Sequence, residues 1–310
     1  MTTQLIDNCN YPVNCNETPQ YIKKISSLSC FSTTNNPKYI YGVSKITNIK
    51  IDSLNKNIIL FGDIHGEINM HTYDKKNVIT IITILNYFYN KGIKYNLFLE
   101  TPQNINIDKC NFMYNLIYYS YSHMKNKLKI NNIDIRYSMN KYIKYHKLFV
   151  FIEWYNKTQD KTKYISLINK WYSKLQTLNF IEYFKRIFYT EPFMKLINVS
   201  PLNKLLINYG YYYLLKFIPN TDNAEILFYK LFICISILVD IYTCLSILSS
   251  DNNNIIIYIG TTHINNIINI LKGVNLDLTI NYNYESSDIS ENNIIPITNN
   301  SYDSILKTFT

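Results

Sequence analysis

Two short motifs in this chain combine residue types that do chemistry with a spacing that would present them together. The first is Gly62-Asp63-Ile64-His65-Gly66-Glu67, directly after the apolar run Ile58-Ile59-Leu60-Phe61. The second is Gly260-Thr261-Thr262-His263, after Ile255-Ile256-Ile257-Tyr258-Ile259. Each reads as a buried strand, then Gly-x-x-His, then the start of a helix. Open parallel α/β sheets place ligand sites just beyond the carboxyl ends of their strands. Two imidazoles delivered to one such edge, with carboxylates nearby, would suit proton transfer or metal ligation. Three of the seven glycines (Gly62, Gly66 and Gly260) fall in these motifs, where a side-chain-free backbone permits close approach.

Four more residues join this set. Glu100 follows the apolar run Tyr95-Asn96-Leu97-Phe98-Leu99, which would bring a carboxylate to the same edge as His65. Asp134 and Arg136 are two apart in Asn132-Ile133-Asp134-Ile135-Arg136 and would share one face of a strand, either as an ion pair or as a substrate contact. Arg136 is one of only two arginines. Asp240 interrupts the most apolar stretch of the chain, where a charge must be paired, hydrogen-bonded or protonated. It could orient a catalytic imidazole or ligate a metal. The candidate catalytic residues are therefore His65, Glu100, Arg136 and His263. The candidate metal ligands are Asp63, His65, Asp240 and His263, for a divalent ion such as Mn or Zn. Asp63 and Glu67 could instead serve a helix N-terminus. The helix dipole predicts a neutral imidazole at His263.

The elements that must position these residues alternate. Strands are expected at 57–61, 95–99, 132–136, 254–259 and 275–282, with a strand or hairpin at 38–50. Helices are expected at 76–91, 108–128 and 263–272. Between 139 and 249 the pattern is helical, with breaks near Pro192, Pro201 and Pro219. This predicts an α/β fold: a mostly parallel sheet flanked by helices, with a large all-helical insertion between the third and fourth strands of the alternation. The expected divisions are a polar arm (1–36), the first half of the α/β domain (37–138), the helical insertion (139–250), the second half (251–283) and a polar, irregular tail (284–310).

Composition narrows the function classes. With 47% hydrophobic residues the chain is globular. One alanine, two arginines and thirty tyrosines, with abundant Ile, Asn and Lys, suggest an AT-rich genome such as that of a large DNA virus or a protist. The net charge of +9 is almost all dispersed lysine, without the arginine clusters that read phosphates or guanines, which argues against nucleic acid as a partner. The expected partner is a small-molecule or peptide substrate; protein partners are not indicated. The six cysteines contain no C-x-x-C pair, and the first residues lack the pattern of a secretory signal. These features predict an intracellular protein, in the cytoplasm of an infected cell if the source is viral. Residues 226–249 are strongly apolar, but Lys230 and Asp240 leave only nine uninterrupted residues between them. A span needs about 20, so a core helix is expected and no transmembrane segment. A P-loop, a G-x-G-x-x-G site and a G-x-S-x-G elbow are absent from the sequence.

Gly62 to His65, then Glu100, then Gly260 to His263 resembles, in order, the superfamily that joins erythromycin esterase-like enzymes, ChaN-like proteins and TraB/Tiki proteins. The resemblance covers roughly residues 55–275. It implies a hydrolase acting on an ester, amide or related bond, with or without a metal. Asp63 stands where esterase-like members carry Glu, a departure that bears on macrolide esterase activity. Gly62-Asp63-Ile64-His65-Gly66 is also similar to the opening motif of calcineurin-like metallophosphoesterases, but their Gly-Asp-x-x-Asp and Gly-Asn-His motifs are missing. A third alternative is a non-catalytic accessory protein that keeps an old hydrolase fold and binds partners through its tyrosine-rich helices.

Overall fold

Two continuous apolar runs become the central strands of a six-stranded sheet. The computed structural model describes residues 37–64, 77–100, 128–136, 155, 160–286 and 294–309. Its strands are β1 (Tyr39–Tyr41), β2 (Lys45–Ile51), β3 (Lys56–Asp63), β4 (Val78–Thr80), β5 (Asn96–Leu99), β6 (Lys129–Asn132), β7 (Asn254–Gly260), β8 (Leu278–Glu285) and β9 (Ile294–Pro296). The larger sheet has the order β6-β5-β7-β3-β2-β8. Pairs β6–β5, β5–β7 and β7–β3 are parallel, and β2 is antiparallel to both β3 and β8. Five strands therefore run one way and β2 alone runs the other. The chain is mixed α/β with a mostly parallel main sheet. A second sheet, β4-β1-β9, has three strands.

Side-chain alternation splits the core into two layers. Ile58 and Leu60 of β3 and Ile255, Ile257 and Ile259 of β7 point to one face. Ile59, Phe61, Ile256 and Tyr258 point to the other. Burial on both faces explains why β3 and β7 read as unbroken apolar runs. The edge strand β8 alternates instead and is mostly exposed or half-buried.

The helices are α1 (Ile81–Asn90), α2 (Ile165–Gln176), α3 (Phe180–Phe188), α4 (Glu191–Ile197), α5 (Pro201–Leu215), α6 (Ala224–Leu248), α7 (Thr261–Gly273) and α8 (Asn299–Leu306). Helices α2 to α6 lie between β6 and β7 in the chain, and together with α7 their core is continuous with the first face of the sheet. The smaller sheet, α1 and α8 cover the second face. Asn179, Ser200 and Asn223 cap α3, α5 and α6 through their side chains, which uses the polar residues that break the apolar pattern. Pro192 and Pro201 occupy first turns, where no backbone N–H is needed. Helix α6 is the one helix among the described residues long and apolar enough to cross a membrane, and 67% of its most apolar window is buried inside the protein.

Several expectations change. The run at 76–91 begins as β4, which pairs with β1 before α1 starts. Its β-branched Val78-Ile79-Thr80 meets an open partner strand, so sheet pairing wins over helix there. The hairpin expected at 38–50 is two strands in different sheets. Asp134 and Arg136 lie just beyond β6 and not within it. The tail expected to be irregular holds β9 and α8, anchored by Ile294, Ile295 and Ile305 in the core. The arm at 1–36 and the helix expected at 108–128 lie outside the described residues, apart from Leu128.

Candidate active site

The carboxyl ends of β5, β6 and β7 deliver Glu100, the Asp134–Arg136 pair and His263 to one edge of the sheet, and α6 supplies Asp240. The strand register aligns Leu99 with both Tyr258 and Asn132, so these ends are level. His263 lies in the first turn of α7, which begins at once after β7. Gly62 makes this junction fit: a Cβ there would come within 2.9 Å of Thr261 Cα and 2.8 Å of Ile264 Cδ1. That glycine serves the packing of α7 against β3.

The charged groups form one connected network. His263 Nδ1 lies 2.5 Å from Asp240 Oδ1. Its Nε2 lies 3.7 Å from Glu100 Oε1. Glu100 Oε2 accepts the Gly260 backbone N–H at 2.9 Å, and Glu100 Oε1 accepts from the Arg136 guanidinium at 3.0 Å. The same guanidinium grips Asp134 in a fork, at 2.8 Å and 2.9 Å. Such bidentate pairing is the geometry that arginine provides and lysine does not. Asp240 is fully buried, Glu100 is 1% exposed and His263 6%. The Arg136 side chain, at 25%, is the most accessible member.

Burial opposes a charged imidazole at His263, but the carboxylates of Asp240 and Glu100 outweigh it and raise the pKa to about 9. The direction of the shift favours the charged imidazole. The helix dipole favours a neutral imidazole, and the two carboxylates at close range act in the opposite direction. Burial also raises Asp240, against the lowering influence of His263. Both shifts favour the protonated form of the group concerned.

Of the residues singled out in the sequence, the structure brings together Glu100, Asp134, Arg136, Asp240 and His263. Asp63 ends β3 with the alternation of Phe61, on the other face. There the Tyr258 hydroxyl lies 3.2 Å from Asp63 Oδ2 and 2.9 Å from the Gly42 carbonyl. His65 and Glu67 lie outside the described residues. Both oxygens of Asp240 are engaged, with His263 and with Asn266. Among the described residues no group of three or more His, Cys, Asp and Glu side chains is placed to hold a metal ion. Asp63 faces away from Asp240 and His263, and His65, the fourth candidate ligand, lies outside the described residues. Asn266 and Tyr258 were not anticipated, and in a chain rich in Asn and Tyr neither residue type stands out.

A shallow groove at the opposite edge of the sheet, beside Lys94, Lys129 and Asp251, is remote from this network. Its Lys129–Asp251 pair is solvent-exposed and of little energetic consequence. No family model, curated protein or solved structure matches the chain.

Proposed function

We propose that this chain is a hydrolase that activates water against an ester, amide or related bond, with Asp240, His263 and Glu100 as its proton-handling residues. The single observation that carries the reading is the buried acid–imidazole–acid line at the carboxyl edge of the sheet, with His263 Nε2 turned toward Glu100. In it Glu100 accepts a proton from water as the water oxygen attacks the carbonyl carbon. The His263 imidazolium then gives its Nε2 proton to the departing alcohol or amine. The proton on Glu100 returns to His263, which closes the cycle. Asp240 holds the imidazole ring and favours its charged form. Arg136 fixes Glu100 and offers positive charge to the oxyanion. The helices between β6 and β7 act as an insertion that walls the substrate. The order Gly62 to His65, then Glu100, then Gly260 to His263 supports placing the chain near the erythromycin esterase-like, ChaN-like and TraB/Tiki proteins.

The test is turnover of an ester, peptide and phosphoester panel by the purified protein, with chelator, Mn or Zn. Ester or amide hydrolysis that is lost in both His263→Gln and Glu100→Gln is expected. Equal turnover in the wild type and both variants, or none in any, would sink the proposal. Rate should fall as pH rises past about 9, where the imidazolium loses its proton.

A second reading has one observation in its favour. Nine large apolar side chains, among them Ile181, Tyr189, Tyr212, Ile226 and Tyr229, are exposed on the helical stretch from Ile165 to Tyr229, against one on the rest of the described chain. This suits a protein-binding surface. Partners retained by the His263→Gln protein in the absence of any turnover would favour that reading.

A further inference from the structure

Helix α7 grips Asp240 at two points. His263 and Asn266 are three apart and share one face of α7. His263 Nδ1 meets Asp240 Oδ1, and Asn266 Nδ2 donates to Asp240 Oδ2 at 2.9 Å. With both its oxygens engaged, the carboxylate is fixed against rotation, and Oδ1 stays aimed at the imidazole.

An amide can present either end, so something must orient Asn266. Tyr213 of α5 does this: its hydroxyl donates to Asn266 Oδ1 at 3.1 Å. With Oδ1 taken as acceptor, the amide nitrogen is left to face Asp240. Asn269, one turn further along α7, also meets this hydroxyl. Helix α5 is itself seated on α7 one turn away from Tyr213. The Tyr209 ring, stacked with that of Tyr213 at 6.3 Å between centroids, lies over Gly273 so closely that a Cβ there would fall 1.8 Å from it. Gly273 ends α7 and admits the Tyr209 ring. Asn266 and Gly273 are seven residues apart, two turns along one face of α7, so α5 contacts α7 at both places.

We infer that Asn266 and Tyr213 are positioning residues for the candidate site, acting in series: Tyr213 orients Asn266, Asn266 fixes Asp240, and Asp240 holds His263. The inference rests on the proposed hydrolase reading only for its kinetic consequence; the structural chain stands without it. It also gives the helical layer a direct line to the site, since Tyr213 belongs to α5 while His263 sits at the sheet edge.

The experiment is titration of the His263 ring by NMR in full-length protein labelled with 15N-histidine. The samples are wild type, Tyr213→Phe, Asn266→Ala and the double variant. Both single changes should lower the His263 midpoint from about 9 toward the ordinary histidine value, because a less firmly held Asp240 carboxylate supports the imidazolium less well. The Tyr213→Phe effect should vanish in the Asn266→Ala background, since Tyr213 acts through that amide. On an ester found in the panel, Tyr213→Phe should lower kcat about fivefold, the scale of one lost hydrogen bond, with KM unchanged.

A His263 titration unmoved by Tyr213→Phe, or an equal Tyr213→Phe effect with and without Asn266, would overturn the inference. If Asn266→Ala fails to fold, the Tyr213→Phe protein alone decides, because it deletes only one oxygen. A moved titration with no turnover in any protein would uphold the positioning chain and remove the hydrolase reading. The two failures are therefore distinguishable.

Discussion

The two ends of the main sheet both carry buried polar groups, but they balance them differently. At the amino edge, Lys56 donates to the carbonyls of Ser250 and Asn252, and Asn96 donates to Ser250 and Asp251. These bonds hold the turn that leads from α6 into β7. At the carboxyl edge, three carboxylates (Glu100, Asp134 and Asp240) share one guanidinium and one imidazole. The first arrangement satisfies carbonyls and fastens a loop. The second gathers three buried carboxylates around one guanidinium and one imidazole among the described residues, and the carboxylates of Asp240 and Glu100 raise the pKa of His263 to about 9. A displaced pKa is what acid–base chemistry needs and what loop fastening does not.

The comparison is broken most severely at Asp240. Asp240→Ala removes a fully buried partner of His263 and Asn266 and should destabilise the protein by about 3 to 5 kcal/mol, the scale for breaking a buried pair. The lower end applies if the imidazole sheds its proton in response. Urea unfolding of the variant beside wild type measures this. A loss below about 1 kcal/mol would mean that the network is not the strong coupling the geometry describes.

Acidity sharpens the same contrast. The folded value for His263, about 9, stands above its ordinary value of 6.5, so the native state binds a proton that the unfolded chain releases. The contribution of His263 is therefore complete below about pH 6.5 and lost as pH rises to about 9. The slope is at most one proton, about 1.4 kcal/mol per pH unit. Burial raises Asp240 as well, which acts in the same direction. Urea midpoints from pH 6 to 9.5 should fall in wild type and fall less in His263→Gln. Parallel curves would refute the raised value.

Much of the carboxyl edge was legible because its residues contradict their surroundings. Asp240 is a charge in an apolar helix, Arg136 is a rare residue in this composition, and Glu100 ends an apolar strand. The strands β3, β5 and β7 were legible for a related reason: β-branched runs bounded by polar residues have few other ways to be buried. Strand order was not. Alternation says which face a side chain takes but not which strand lies beside it, so nothing local places β7 between β5 and β3. The tail was misread because its buried residues, Ile294, Ile295 and Ile305, are spread thinly among polar ones. Asn266 and Tyr213 were invisible because their residue types are abundant and their importance comes from contacts across helices. The raised pKa of His263 was not legible because the helix end was visible in the sequence and the two converging carboxylates were not.

At the amino edge the expected effects are smaller and purely structural. Lys56→Met keeps the buried stem but leaves the Ser250 carbonyl without its ammonium donor. The cost should be about 1 to 2 kcal/mol, softened because burial already disfavours the charged lysine and lowers its pKa. The His263 titration should not move. A displaced His263 midpoint in this variant would mean that the two edges are coupled through β3 and β7.

The smallest effect belongs to Lys129, whose contact with Asp251 at 3.4 Å is solvated on both sides. Two exposed side chains gain little by meeting in water, because screening and lost rotamer freedom offset the attraction. Lys129→Ala should therefore shift stability by less than about 0.5 kcal/mol and leave the His263 titration intact. Its value is as a reference. Lys129 belongs to β6, the same strand that leads to Asp134 and Arg136, so a null result assigns any loss seen in Arg136 variants to the guanidinium and not to disturbance of the strand. A displaced His263 midpoint in Lys129→Ala would instead show that the placement of β6 itself governs the network.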